Sequence, residues 1–245
     1  MTDTYKFDSN LHSFYEDEFP NFWQMTRWEK LAFIALVNKI KPEIAIEIGN
    51  AQGGSLQVLS KTCKKVYAID FNKEVHDNLK TQFKENVEFH TGDSKEILPT
   101  LLKSIQDKKE KLGFVLVDGD HSTEGVRADI NCILNYYKPI TDLFIIFHDS
   151  FNPICRKGII DADWEKNEFV HFVDIDYLPG NFFKDQYHNS EKGSMWGGLS
   201  LAHLKSHKRE SQLNIIQSLE PTYNLMFKSS RYNKLTYRLR RFFKP

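Results

Sequence analysis

Ile44-Ala45-Ile46-Glu47-Ile48-Gly49-Asn50-Ala51-Gln52-Gly53-Gly54-Ser55 is the stretch that decides how this chain is read. A short apolar run ends in an acid and a glycine, a glycine pair follows, and a helical pattern begins at once. That is how a buried strand turns into a helix over a nucleotide-like ligand. Gly49 and Gly53 supply the sharp bend and carry no Cβ to collide with the ligand. Alone the pattern is weak, because Gly49-x-x-x-Gly53 is not the full glycine fingerprint of the dinucleotide enzymes. Its strength comes from polar residues that end four later apolar runs.

Those runs lie near 44–48, 66–70, 86–90, 113–118 and 143–147, and helical patterns near 53–61, 73–84, 94–106 and 123–137 separate them. Strict alternation predicts a parallel sheet with right-handed crossovers. Phe114–Val117 and Leu143–Phe147 are apolar without interruption, as strands covered on both faces are. Runs at Phe169–Ile175 and Trp196–Leu204 add an antiparallel hairpin at the sheet edge. The expected fold is α/β, Rossmann-like and doubly wound, with a mostly parallel seven-stranded sheet and helices on both faces. Residues 1–27 read as an aromatic N-terminal arm or cap, 28–205 as the ligand-binding domain and 206–245 as a basic helical extension. The segment 150–167 reads as irregular and lying over the site.

Lys and Arg together number 33, as do Asp and Glu, so overall charge points to neither nucleic acid nor a membrane. Residues 221–245 differ: Lys228, Arg231, Lys234, Arg238, Arg240, Arg241 and Lys244 are interleaved with aromatics and no acid. Such a tail suits a solvated terminal helix, or an anionic partner or membrane surface. Cys63, Cys132 and Cys155 are widely spaced, as reduced thiols of a cytoplasmic protein are. No apolar run reaches the ~20 residues of a membrane span, and the first residues lack a signal-peptide pattern. The aromatic arm would suit a homo-oligomer contact.

In an open α/β sheet the ligand lies at the carboxyl ends of the strands, so the polar residues there are the candidates. The first run ends at Glu47, the second at Asp70, an acid about 20 residues beyond the glycine turn and placed to accept from a ribose diol. The third leads into Gly92-Asp93-Ser94, which suits an adenine amino group or a helix cap. The fourth runs into Asp118-Gly119-Asp120-His121-Ser122 and the fifth into His148-Asp149-Ser150. Carboxylates at buried strand ends need partners. A divalent cation is one: Asp118 and Asp149 are hard oxygen donors, and His148 tilts the preference toward a transition metal. Helix capping with structural hydrogen bonds is the other.

With these residues in place, the chain resembles the class I S-adenosylmethionine-dependent methyltransferases, and among them the metal-dependent O-methyltransferases. Glu47-x-Gly49-x-x-x-Gly53-x-Ser55 is similar to the first motif of the catechol O-methyltransferase type, and Gly92–Pro99 to its adenine-side segment. Val117–Asp129 is the most specific match, similar to the branch of macrolide-sugar O-methyltransferases and cephalosporin-hydroxylase-like proteins. The likeness spans about residues 28–205. It implies S-adenosylmethionine as cofactor, held by Glu47, Gly49, Gly53, Ser55, Asp70, Asp93, Ser94 and Asp118. It implies Mg or Mn held by Asp118, His148 and Asp149, and His121 as general base toward a hydroxyl of a sugar or other small molecule. His148 departs from the pattern, because it stands where that branch places Asp or Glu. A catalytically inactive binding or scaffold module of the same fold is the alternative.

Overall fold

A computed structural model describes residues 18–83, 85–183 and 192–233. Most of the N-terminal arm and the basic residues from Lys234 onward lie outside the described residues.

Helix α1 (Arg27–Ile40) starts at a capping box in which the Thr26 side chain accepts from Glu29 N and the Glu29 carboxylate accepts from Thr26 N. Five βα units follow: β1 (Ile44–Ile48), α2 (Gly54–Thr62), β2 (Lys65–Asp70), α3 (Lys73–Leu79), β3 (Val87–Thr91), α4 (Ser94–Asp107), β4 (Leu112–Val117), α5 (Thr123–Tyr136), β5 (Leu143–His148) and α6 (Pro153–Ile160). The last third holds β6 (Val170–Leu178), β7 (Asn181–Phe183), β8 (Ser194–Trp196), β9 (Leu199–Leu204), β10 (Asn214–Ile216) and α7 (Glu220–Ser229). The main sheet runs β10-β6-β9-β5-β4-β1-β2-β3, and β7 pairs with β8 apart from it. Strands β1 to β5 are mutually parallel, and β9 is antiparallel to both β5 and β6. The chain winds outward from β1 on one side and from β4 on the other, so the β1–β4 boundary is the switch point where a crevice opens.

Side chains alternate across the strands and fill two cores. Ile46, Ile48, Val115, Val117, Ile145 and Phe147 pack toward α4, α5 and α6. Ala45, Phe114, Leu116 and Ile146 pack toward α1 and α2, where Phe33, Val37, Leu56 and Leu59 are fully buried.

Two expectations change. The main sheet has eight strands, and the antiparallel pair is not its edge, because β10 pairs parallel with β6 beyond it. Three residues are too few to show an alternating pattern, so β10 was invisible inside a stretch read as helical. The segment 150–167 is not a loop over the site. Asn152 caps α6, Pro153 opens it, and Phe151, Cys155, Ile159 and Trp164 are buried in the core. Among the described residues no helix is long and apolar enough to cross a membrane.

A third, smaller core ties the C-terminal segment to the turn after β5. Tyr223 of α7 meets Phe151 edge-on at 5.7 Å and lies under the Arg156 guanidinium at 4.2 Å. Arg156 forms a buried ion pair with Asp176 of β6 at 2.7 Å, and Asp176 also accepts from Leu219 N at 2.8 Å. Removing one partner of such a pair strands the other charge in the core. Arg156→Met is therefore expected to cost about 3–5 kcal/mol in guanidinium unfolding, and the double variant Arg156→Met/Asp176→Leu to regain most of that loss. A double variant no more stable than the single one would show that the pair is not the source of the cost.

Candidate functional site

A cleft of about 680 Å³ opens at the carboxyl ends of β1, β2, β4 and β5. Its floor is the glycine turn. Gly49 has a φ of 85°, and a Cβ there would lie 2.1 Å from the carbonyl oxygen of Asp118, so no other residue fits. The end of β1 is locked to both neighbours at this point: Asp118 N, after β4, donates to Ile48 O, and Gly49 N donates to Ile69 O of β2, both at 2.8 Å. Asp70 closes the turn from β2. Its Oδ2 accepts from Asn50 N at 2.8 Å and its Oδ1 from Asn72 N at 2.8 Å, which leaves lone pairs facing the cleft. Phe71, 80% exposed, stands beside it on the cleft wall. A glycine floor, a fixed acid at the second strand and an open aromatic face fit a nucleoside-bearing cofactor.

Of the residues singled out in the sequence, Gly49, Ser55, Asp70, Asp93, Ser94, Asp118, His121, His148 and Asp149 border the cleft. Glu47 and Gly53 do not. Gly53 is the left-handed N-cap of α2, with a φ of 79°. Glu47 is fully buried beneath the turn, where its Oε1 accepts from Asn50 Nδ2 at 3.2 Å and Ser55 Oγ at 3.1 Å, and its Oε2 has no partner. Burial pushes its carboxyl up to about 8. Asp93 and Ser94 also serve the scaffold: Asp93 caps α4 through Lys95 N, and Ser94 Oγ donates to the buried Asp129 at 2.6 Å.

At the ends of β4 and β5, two carboxylates and two imidazoles interleave. His121 Nε2 lies 3.3 Å from Asp118 Oδ1 and 3.6 Å from Asp149 Oδ2. His148 Nδ1 lies 3.0 Å from Asp118 Oδ1 and 3.8 Å from Asp149 Oδ2. Asp149 holds a left-handed φ of 58°, and its Oδ1 accepts from Gly197 N at 2.5 Å. Burial disfavours charge on His148, but the carboxylates of Asp118 and Asp149 outweigh it and hold the imidazole well above its usual range. Burial likewise opposes charge on Asp118, and the two histidines overcome it to hold that carboxyl below its usual range. The hydrogen bond to Asp118 raises His121.

One donor atom each from Asp118, His121 and Asp149 lies within 4.8 Å of the others, a set of oxygen and nitrogen donors that fits a small divalent cation. His148, expected as a ligand, is not part of this cluster: Nδ1 is engaged with Asp118, and Nε2 faces Glu29 Oε1 at 3.6 Å. On the opposite wall, Trp196 meets His121 edge-on at 6.1 Å, and Phe22, Met25 and Phe183 complete an apolar rim. Phe151 and Trp164, in the segment expected to lie over the site, are core residues.

Sequence reading passed over three contributors. Glu29 belongs to the helical pattern of α1 and looks like an ordinary first-turn acid. His76, fully buried, links Asn50 Oδ1 (2.9 Å) to Thr91 Oγ1 (2.7 Å) and so ties the glycine turn to β3. The pair Gly197-Gly198, both left-handed, was visible in the sequence as two adjacent glycines and is the signal that went unused.

Residues 46–150, from β1 to the turn after β5, match a family model described as a methyltransferase domain. The fold is the Rossmann-like one found in methyltransferases. Similar structures include an O-methyltransferase from Bacillus cereus in complex with SAH, at 16% identity and TM-score 0.53 over 84% of this chain and 93% of that one. TomG from Streptomyces achromogenes, an O-methyltransferase involved in tomaymycin synthesis and solved with SAM, gives 15% and 0.53 over 83% and 91%. MycE of the mycinamycin pathway, solved with Mg, SAH and mycinamycin VI, gives 14% and 0.52 over 84% and 56%. At these identities the likeness is one of fold. No curated protein matches the chain by sequence.

The buried Glu47 carries a pH signature. Its folded-state value of about 8 stands above the ordinary 4.5, so the fold favours the neutral acid. That contribution is complete below pH 4.5 and is lost as pH rises to about 8. Glu47→Gln lacks the ionisation. Its stability relative to wild type is expected to improve by ~1.4 kcal/mol per pH unit across that window and to level off above it. Unfolding curves at several pH values that run parallel for the two proteins would count against a neutral Glu47.

Proposed function

We propose that this chain is an S-adenosylmethionine-dependent O-methyltransferase, assisted by Mg or Mn, acting on a hydroxyl of a sugar or other small molecule. The observation that carries the reading is the convergence of Asp118, His121 and Asp149 within 4.8 Å, in the same cleft as the glycine turn and Asp70. Residues 28–205 form the catalytic unit in this reading and residues 1–27 its cap, of which Phe22 to Thr26 line the cleft.

The cofactor supplies a methyl group on a sulfonium, already electrophilic. Asp70 accepts from its ribose hydroxyls, Phe71 offers a face to the adenine, and Asp93 lies on the adenine side. Asp118 and Asp149 would hold a divalent cation, and two carboxylates would suffice because a Mg²⁺ site ordinarily keeps several waters. Bound there, it would supply Lewis acidity that lowers the cost of removing the acceptor's proton. His121 takes that proton at its other ring nitrogen, Nδ1, because Nε2 faces Asp118. Asp118, 3.3 Å away, fixes the ring and stabilises the charge it gains. Trp196, Phe183 and Phe22 present apolar faces to the acceptor and exclude water around the transfer, and the aligned pair of reactants supplies much of the rate. Support for a sugar-bearing acceptor comes from those faces, which suit the apolar side of a glycoside, and from the shared fold of MycE with its Mg and mycinamycin VI.

His121→Ala is expected to lower kcat by about 10²-fold or more, with S-adenosylmethionine affinity by calorimetry unchanged. Asp70→Ala should do the reverse, weakening cofactor binding by about tenfold or more through lost charged hydrogen bonds. EDTA should abolish turnover, and Mg²⁺ or Mn²⁺ should restore it. Tight cofactor binding without turnover across glycosides and catechols, with either metal present, would favour the inactive module instead.

A further inference from the structure

Glu29 is the buried charge beside this site that the mechanism leaves unused. It lies on α1, far in sequence from the strand ends, and is 1% exposed. One oxygen, Oε2, serves the helix by accepting from Thr26 N. The other, Oε1, serves the site: it accepts from Gly198 N and stands 3.6 Å from His148 Nε2. Capping alone would be satisfied by an exposed acid, so the cost of burying this one calls for a partner in the interior. Gly197, the next residue in the same turn, donates to Asp149 Oδ1, and a Cβ on it would lie 2.6 Å from Glu29 Oε1. The contacts close a circuit from Asp118 through His148, Glu29, Gly198 and Gly197 to Asp149. His121 spans its two ends.

We propose that Glu29 and His148 form a brace that fixes the Asp118 carboxylate, and that His148 does this in place of ligating the cation. The proposal rests on the roles given above to Asp118 and the cation. A ring nitrogen 3.0 Å from a carboxylate oxygen carries its hydrogen and has no lone pair for an ion. The second nitrogen faces Glu29. Asp118 can serve both the brace and an ion, because a carboxylate has about four acceptor sites on two oxygens and both histidine contacts fall on Oδ1. Glu29 and His148 are thus positioning residues, acting on the cation through Asp118.

The test is Mn²⁺ titration of the full chain with S-adenosylhomocysteine, followed by EPR, with pulsed EPR reporting any directly bound nitrogen. Wild type is expected to show no bound imidazole. His148→Asn, whose amide can donate to Asp118 from a similar place, should keep Mn²⁺ affinity within about threefold. His148→Ala and Glu29→Gln should weaken it by about tenfold or more, the usual effect of removing a group that orients a ligand. A bound nitrogen that vanishes in His148→Asn overturns the brace and makes His148 a ligand. A nitrogen that vanishes in His121→Asn overturns the base assignment and supports the brace.

A metal-free arm separates the two readings. The His148 ring N–H, assigned by its loss in His148→Asn, should appear by ¹H–¹⁵N NMR in the ion-free protein and move in Glu29→Gln. If wild type binds no Mn²⁺ and this response persists, the cation is wrong and the brace stands. A His148 resonance indifferent to Glu29→Gln overturns the brace.

Discussion

Everything at this site depends on how closely β1 and β4 approach where they diverge. Gly49 lies against the carbonyl of Asp118, with no room for a Cβ, and the backbone hydrogen bond from Asp118 N to Ile48 O holds the two strand ends at that spacing. This one contact sets two functions at once. It bends the chain into the turn that floors the cofactor cleft, and it fixes the backbone from which the Asp118 side chain projects toward His121 and His148. In the proposed reading, a methyl donor held by the turn and an acceptor held near Asp118 would be positioned by the same piece of backbone. Alignment of two reactants is the largest contribution a methyltransferase can make, because the donor is already activated.

The second constraint is charge. Asp118, Asp149 and Glu29 bring three carboxylates to a partly desolvated corner, an arrangement that would be prohibitive if they faced one another. They do not. His148 separates Asp118 from Glu29, and His121 bridges Asp118 and Asp149. Asp149 Oδ1 and Glu29 Oε1 accept from the amides of Gly197 and Gly198, the only residue type that adopts two successive left-handed conformations without strain. Asp149 itself is left-handed and not a glycine, a conformation that costs energy and persists because the carboxylate is anchored to Gly197. Strain, burial and charge are concentrated on the residues to which the chemistry is assigned.

The sequence made the framework legible because the framework is periodic. Five apolar runs ending in polar residues gave β1 to β5, and Gly49, Asp70, Asp118, His121 and Asp149 all border the cleft as their strand-end positions implied. What escaped was non-periodic or long-range. β10 is too short to display a pattern, and α6 is announced only by Asn152 and Pro153. Glu29 carries the helical periodicity of α1 and looks solvated until tertiary structure buries it. Glu47 was misplaced for a subtler reason. The acid before a glycine turn reads as facing the ligand, but the strand's alternation sends its side chain beneath the turn, where Asn50 and Ser55 share one of its oxygens.

These features give α1 a place in the site that its position in the chain conceals. The helix contributes Phe33 and Val37 to the core against β4, and this packing is what holds Glu29 at depth. The residues just before it, Phe22 to Thr26, line the cleft, so one continuous segment forms part of the wall and supplies a buried charge behind it. A force that moved α1 outward would separate Glu29 from Gly198 and His148 before it disturbed any strand. The sheet would keep the turn, Asp70 and the cofactor half of the cleft, while the polar corner at β4 and β5 lost its outer support. The two halves of the cleft thus differ in what they depend on: the glycine-turn half on backbone geometry within the sheet, and the polar corner at β4 and β5 on a helix docked against it.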